Sequence, residues 1–304
     1  MPTYEIGELL KDTRLKLGMN QKELALGICA PETISRIELG KIMPSKYTLH
    51  ALFERLGINP HQHVTCFLDK KLIEIQSIMD DLDTELAFGR LEKAEDLIQQ
   101  LEASKKFLAE KLNEQYLYLA KLALAIYKSE EADVLINLAL KGITLIINDF
   151  SEEKIADYFL SSNDIRLLSG LAVGYQEKGE ILKALNIFEQ LLENMENRYC
   201  DKFEKGRNYP MIAFNLSSLL ISQDHYQHTI DICDKGIYAC RRTGFLEFLP
   251  ALNFNKASAL IELDKKEEAE KLLKESYYTF CLYGKEMQKT FVQDYARRKL
   301  NVNL

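Results

Sequence analysis

The stretch NQKELALGICAPETISRIELGK, residues 20–41, decides the reading of the N-terminal part of the chain. A polar residue opens a short apolar run, a proline interrupts it, and a second short run ends in Gly-Lys. One amphipathic helix would not need the break; two short helices meeting at an angle would. Asn20 can cap the first, with Glu23 three residues on as its capping-box partner. Leu24, Ala25 and Ile28 then face inward. Pro31 suits the first position of the second, where its missing N–H costs nothing. Ile34 and Ile37 are that helix's core contacts, and Gly40 is its stop. Upstream, residues 4–17 place Ile6, Leu9, Leu10, Thr13 and Leu17 on one helical face that ends at Gly18. Downstream, Ser45 caps a further helix with Leu49, Leu52, Phe53 and Leu56 inward and Gly57 at its end. Short helices joined by a tight turn around residues 27–30 make a helix-turn-helix unit.

Gln21, Glu23, Leu24, Ala25, Ile34, Ser35, Arg36, Ile37, Glu38, Gly40, Lys41, Pro44, Leu49 and Leu56 together resemble the XRE/Cro-like DNA-binding family. The helix from Pro31 to Leu39 takes the place of the recognition helix, whose N-terminal half enters the major groove. With Ile34 and Ile37 inward, Glu32, Thr33 and Arg36 point outward. Arg36 can pair with guanine O6 and N7, Glu32 can accept from cytosine N4, and Thr33 can touch a thymine methyl or a phosphate. The resemblance assigns Gln21 and Lys41 to backbone phosphates. The expected DNA-facing set is therefore Gln21, Pro31, Glu32, Thr33, Arg36 and Lys41, with Glu38 pairing internally. A module of this fold used only for protein contact is the alternative; Ala30, a poor N-cap, and the acidic Glu32 count for it.

The composition is compatible with a mainly helical protein. In 304 residues there are only 14 Gly and 6 Pro, and hydrophobic residues make up 47%. The formal net charge is −7, which argues against a general polyanion binder. Residues 1–63 differ from the rest, holding eight Lys/Arg against seven acids. The six cysteines, Cys29, Cys66, Cys200, Cys233, Cys240 and Cys281, form no C-x-x-C pair and read as buried free thiols in a reducing compartment. No signal peptide and no apolar run long enough for a membrane span is found. A cytoplasmic protein is expected.

Beyond residue 70 small residues recur twelve apart: Ala120 with Ala132, Ala172 with Ala184, Ser217 with Thr229, Ala257 with Ala269, and more weakly Leu82 with Ala94. Around the second members the text repeats as LEKAEDLI, SEEADVLI, ILKALNIF, YQHTIDIC and KEEAEKLL. Small residues at this spacing let two antiparallel helices approach, as in a tetratricopeptide-like hairpin that buries its face only by stacking on neighbours. Residues 150–163 lengthen one inter-repeat connection, and the final segment KEMQKTFVQDYARRKL reads as a polar capping helix. The expected fold is all-α: a helix-turn-helix domain over 1–60, a linker or linker helix over 61–72, and a TPR-like α-superhelical repeat domain of about five helix pairs and a capping helix over 73–304.

The inner face of such a superhelix is a groove for an extended peptide. Asn215 and Asn255 stand two positions before the small residue in their repeats, and an asparagine amide can hold a peptide N–H and C=O at once. Phe214, Phe254, Arg166, Gly170, Tyr118 and Tyr209 are further candidate lining residues. The bland reading is that each asparagine satisfies a neighbouring helix end.

A helix-turn-helix head followed by about five such repeats, with segments such as GYQEKGEILKALNIFEQLL, FNLSSLLISQDHYQHTIDICDKGI and KEEAEKLLKESYYTF, resembles the RNPP family of Gram-positive quorum-sensing regulators. The resemblance implies a homodimeric transcription factor on a palindromic or pseudo-palindromic operator, controlled by a short signalling peptide. It also implies that Asn215 clamps the peptide backbone; one repeat earlier Ser169-Gly170 stands where that asparagine would be. An XRE-type regulator whose repeats bind a protein partner is the second reading. No enzyme motif is present: there is no Gly-rich phosphate loop, H-E-x-x-H or G-x-S-x-G. His61 with His63, and His225 with His228, read as solvated, so no metal or cofactor is expected.

Overall fold

A computed structural model of the chain describes residues 3–57, 70–105, 107–197 and 202–304. Every regular element among them is a helix. The chain divides into two compact units: Met1–Glu180 with Glu196–Asp201, and Ile181–Met195 with Lys202–Leu304. Of the linker or linker helix expected over 61–72, residues 61–69, with His61 and His63, lie outside the described residues, and 70–72 belong to the helix that opens the repeats.

The first unit opens with a four-helix head: α1 (Thr3–Lys16), α2 (Gln21–Ala25), α3 (Pro31–Glu38) and α4 (Lys46–Arg55). Local signals place each boundary. Asn20 Oδ1 accepts from Glu23 N at 2.9 Å, and Asn20 N donates back to Glu23 Oε2 at 2.6 Å. Pro31 opens α3, where Ala30 supplies no side-chain cap. Gly40 ends α3 at φ +66°, and Lys41 N returns to Arg36 O at 2.8 Å. Ser45 Oγ accepts from Thr48 N to cap α4. Ile6, Leu10, Leu24, Ile34, Ile37, Leu52, Phe53 and Leu56 form the head's core. Gly7 lies where α1 crosses the end of α3; a Cβ there would collide with the backbone oxygen of Ile37.

The same unit continues with α5 (Lys70–Ala87), α6 (Leu91–Ala103), α7 (Lys111–Tyr127), α8 (Ala132–Thr144), a short 3-10 helix (Glu152–Asp157) and α9 (Ser162–Glu177). The second unit holds α10 (Ile181–Asn197), α11 (Lys202–Ser222), α12 (Tyr226–Thr243), α13 (Leu249–Glu262), α14 (Lys266–Leu282) and α15 (Glu286–Leu300). Helices pack in sequence-adjacent pairs, α5 on α6 and α7 on α8, then α11 on α12 and α13 on α14. Small residues sit where these pairs meet: Ala94, Thr229 and Ala269 are completely buried, each the fourth residue of its helix, and Ala184 is the completely buried fourth residue of α10.

One pairing differs from the sequence reading. Ala132 is the first residue of α8 and only half-buried, while the fourth position holds the buried Leu135. The textual match SEEAD aligned the acidic residues rather than the packed ones. Gly174 on α9 makes room for the larger residue, since a Cβ there would stand 2.9 Å from Ile136 Cγ1 and 3.3 Å from Leu135 Cβ. The last helix also departs from expectation. Val292 and Ala296 of α15 are buried, but Met287 and Phe291 on its outer side are exposed, so the cap is not polar throughout.

The Gly7 contact yields a test. Gly7→Ala should destabilise the head by about 1–3 kcal/mol, because backbone and not a flexible side chain must yield. Denaturant unfolding of the full chain followed by circular dichroism measures this; an unshifted head transition would contradict the close crossing of α1 and α3.

Candidate nucleic-acid interface and repeat surfaces

Helix α3 is fixed from behind. Arg14 of α1 reaches Glu38 at the end of α3 through two parallel bonds, Nε to Oε1 at 2.6 Å and Nη2 to Oε2 at 2.9 Å, while Nη1 donates to Met19 O at 2.9 Å. Both side chains are buried. The hydrogen bond to Glu38, opposed by desolvation, holds the guanidinium above its ordinary range. A fork-on-carboxylate pair fixes direction as well as distance. Gln21 Nε2 joins the same carboxylate at 2.8 Å. The amide assigned to phosphate is thus already engaged in tying the start of α2 to the end of α3.

The outer face is open. Glu32 and Arg36 are exposed and Thr33 is half-buried. Among the described residues the side chains of Glu32 and Arg36 have no hydrogen-bond or ion-pair partner. Lys41 is exposed beyond the helix end. A cleft of about 520 Å³ runs between the starts of α2 and α3, lined by Arg14, Asn20, Gln21, Lys22, Pro31, Glu32 and Ser35. It gathers three of the expected residues, Gln21, Pro31 and Glu32, and leaves Thr33, Arg36 and Lys41 outside. Lys22 and Ser35 belong to the cleft but were not in the expected DNA-facing set. Ser35 was reachable, standing one helical turn from Pro31.

The head also rests on the repeats of its own unit. Gly27, in the turn between α2 and α3, has φ +72°, and a Cβ there would lie 2.5 Å from Ile146 Cγ2 and 2.7 Å from Ile146 O. Phe159 packs on the head's core, and Ser162 N donates to Glu54 Oε1 at 3.2 Å. Arg55 is buried and donates to Leu24 O at 3.1 Å and to Leu26 O. Burial lowers its proton affinity, against Asp164 and Glu54, which raise it. Asp164 is itself held by Gln115 Nε2 at 2.6 Å and by the capping box with Ser161.

The candidate peptide-lining residues divide into two sets. On α7 and α9 of the first unit, Tyr118 and Arg166 are half-buried and lie on partly open faces. Gly170 is different: it is buried, and a Cβ would strike Leu122, so it lets α9 approach α7. On α11 of the second unit, Met211, Phe214, Asn215 and Ser218 are all half-buried, one helical stripe at i, i+3, i+4 and i+7. Phe214 also stacks on Phe248, ring centres 5.9 Å apart.

Three expected lining residues serve the fold instead. Tyr209 is only 4% exposed. Phe254 packs between Phe291 and Tyr295 of α15, 5.3 and 4.9 Å between ring centres. Asn255 is buried, its amide nitrogen donating to Ser217 Oγ at 2.8 Å, Ser218 Oγ at 2.9 Å and Phe214 O at 3.3 Å. It pins α13 to α11, which is the bland role anticipated for a repeat asparagine.

His225 and His228 are exposed, and no cluster with metal-binding composition exists among the described residues. Cys233 and Cys240 are buried thiols, but Cys281 is exposed. Burial pushes Cys233 up to about 12 and Cys240 up to about 11. No helix of the described residues is long and apolar enough to cross a membrane.

Residues 10–62 match the helix-turn-helix family HTH_3. The whole fold is similar to that of Bacillus thuringiensis PlcR in complex with the peptide PapR7 and DNA. The two share 17% identity at a TM-score of 0.62, over 95% of this chain and 99% of PlcR. It is also similar to apo ComR from Streptococcus vestibularis, at 15% identity and a TM-score of 0.53 over 99% of each chain. ComR from S. thermophilus, in complex with DNA and its signalling peptide ComS, gives 15% and 0.53 over 97% of this chain and 99% of that one. At such identities the likeness is one of fold. No curated protein matches the sequence.

The buried pair predicts a mutational pattern. Glu38→Ala leaves Arg14 buried and uncompensated and should destabilise the head by roughly 3–5 kcal/mol, whereas Arg14→Met with Glu38→Leu should recover most of the loss. Thermal unfolding of the three proteins checks this; a mild single-variant effect would show that the pair does not hold α3.

Proposed function

We propose that the chain is a sequence-specific DNA-binding transcriptional regulator of the RNPP type, cytoplasmic and homodimeric. Its repeats bind a short signalling peptide that controls DNA binding. The observation that carries the DNA-binding part is Arg36, exposed and unpaired on a helix whose opposite side is locked by Arg14 and Glu38. A helix held this way can present a guanidinium to a guanine edge without first reorganising. The similarity in fold to PlcR and ComR, both solved with DNA and peptide, supports the same division of labour here.

The stripe Met211, Phe214, Asn215 and Ser218 supports the peptide-binding part. Phe214 offers an apolar surface, and Asn215 beside it is of a residue type whose amide suits a peptide backbone. With Asn255 in a structural role, the clamp part of the proposal rests on Asn215 alone. Two apolar residues one turn apart on α15, Met287 and Phe291, with Leu282 on α14, are exposed and support self-association through the second unit. A bound peptide changes DNA affinity only through its differential affinity for two arrangements of the dimer.

Arg36→Ala should weaken operator binding by about 1–3 kcal/mol while the melting temperature stays unchanged. Fluorescence anisotropy on a labelled duplex reads it, and undiminished affinity would remove α3 from the recognition role. Native mass spectrometry of the protein purified from its own cytoplasm should reveal a bound peptide of about five to ten residues. Asn215→Ala should then weaken that peptide by roughly 1–3 kcal/mol. A peptide-free dimer would count against peptide control, and unaltered affinity would return Asn215 to a structural role.

A further inference from the structure

The connection between α8 and α9, residues 145–161, is longer than any other described connection between repeat helices. A connection of more than about 12–15 residues inside a compact unit ordinarily has a task of its own. This one is braced from within. Ile155 of its 3-10 helix is completely buried. The Tyr158 hydroxyl donates to Asp149 O at 3.0 Å and accepts from Ser151 N at 2.8 Å. Tyr175 of α9 donates to Glu152 Oε1 at 2.6 Å. The segment is therefore a firm surface and not a slack loop.

The head meets this surface near both of its ends. At the start, the α2–α3 turn touches Ile146 so closely that the Cβ of any residue at position 27 would collide with its side chain and its backbone oxygen. An asparagine could adopt the φ of +72°, but it could not fit the space. At the far end, Phe159 packs against the head's core, and Ser162 N donates to Glu54 Oε1 at 3.2 Å. Tyr47, near the start of α4, donates to Met79 Sδ of α5 at 3.9 Å. Arg55, buried at the end of α4, feels the charge of Asp164 in the first turn of α9. Contacts spread over the α2–α3 turn and both ends of α4 resist rotation of the head as well as its displacement. None of them uses a residue of the expected DNA-facing set, and Glu32 and Arg36 stay exposed. The head is oriented without being masked.

We propose that the 145–161 connection is a seat that fixes the direction of the head, and that Gly27, Ile146 and Phe159 are thereby determinants of the half-site spacing the protein accepts. The inference rests on the reading of the chain as a dimeric DNA-binding regulator. Two heads engage two half-sites at once only when separation and helical phase match the direction in which each is held. A seated head has one direction and selects one spacing. A head released from its seat keeps its own base contacts and tolerates several.

The test uses the full chain. Half-sites and their spacer are first selected from a randomised duplex pool by the unaltered protein. Affinities are then measured for the selected duplex, for the same duplex with its spacer changed by about half a helical turn (~5 base pairs), and for a single half-site. The unaltered protein should disfavour the changed spacer by at least about tenfold. Gly27→Asn should reduce that preference to about threefold or less and leave single half-site affinity unchanged. Gly18→Asn, at a left-handed glycine with open space around it, should behave as the unaltered protein. Phe159→Asp attacks the seat from the repeat side and should act as Gly27→Asn does; it serves if that variant does not fold. Hydrogen exchange over 145–161 should quicken in Gly27→Asn by about tenfold or more. Unchanged exchange would show that the head is not seated there. Quickened exchange with the spacing preference intact would overturn the role in spacing, and an equal loss of half-site affinity would place the effect of Gly27 within the head itself. A pool that yields no half-site at all would instead sink the DNA-binding reading, and this inference with it.

Discussion

Two parallel hydrogen bonds between Arg14 and Glu38, twenty-four residues apart and buried, set the direction of α3. The first helix of the head is thereby bound to the last turn of the third, and Gln21 extends the tie to the start of the second. The free face of α3 is defined only because its other face has no freedom left. Gly7 serves the same constraint, since α1 can reach Glu38 only by passing against the backbone of Ile37. A buried ion pair of this kind is costly to form and costlier to break on one side, which makes it an effective way to fix one geometry.

The repeats obey a different constraint. No hairpin can bury its apolar face alone, so each must stack, and close stacking requires something small where helices cross. Ala, Thr and Ser fill that position in most pairs. In the α8 pair the bulk of Leu135 is accommodated by the glycine opposite. The turns into the second helices are held by left-handed residues, Gly89, Ser129, Gly179, Asp224 and Asp264. Asp tolerates that conformation better than most non-glycine residues do. The first unit joins the two constraints, because Gly27 lets the head's own turn sit against Ile146.

Elements with local causes were legible in the sequence. The Asn20–Glu23 capping box, Pro31 at the head of α3, Gly40 at its end and Ser45 before α4 involve partners within a few residues, and their spacing identifies them. The engagement of Glu38 was legible, but its partner was not, since nothing in the chain's order marks Arg14 over other cations. The repeat surface was the least legible part. Asn215 and Asn255 look alike by position, yet Asn255 meets Ser217 and Ser218 of the preceding repeat and is consumed by them. Gly170 looked like a missing clamp and is a packing residue. Tyr209 and Phe254 looked like lining because an aromatic residue reads the same whether it faces a groove or a neighbouring helix.

The central claim is that the head reads DNA as part of a dimer. Selection of duplexes from a fully randomised pool by the full-length protein, followed by sequencing, tests it most directly. The account predicts enrichment of two inverted half-sites whose centres lie one helical turn apart, about 34–36 Å, or a multiple of it. A pool that stays random through the selection, retained only at low salt as any duplex would be, would contradict it.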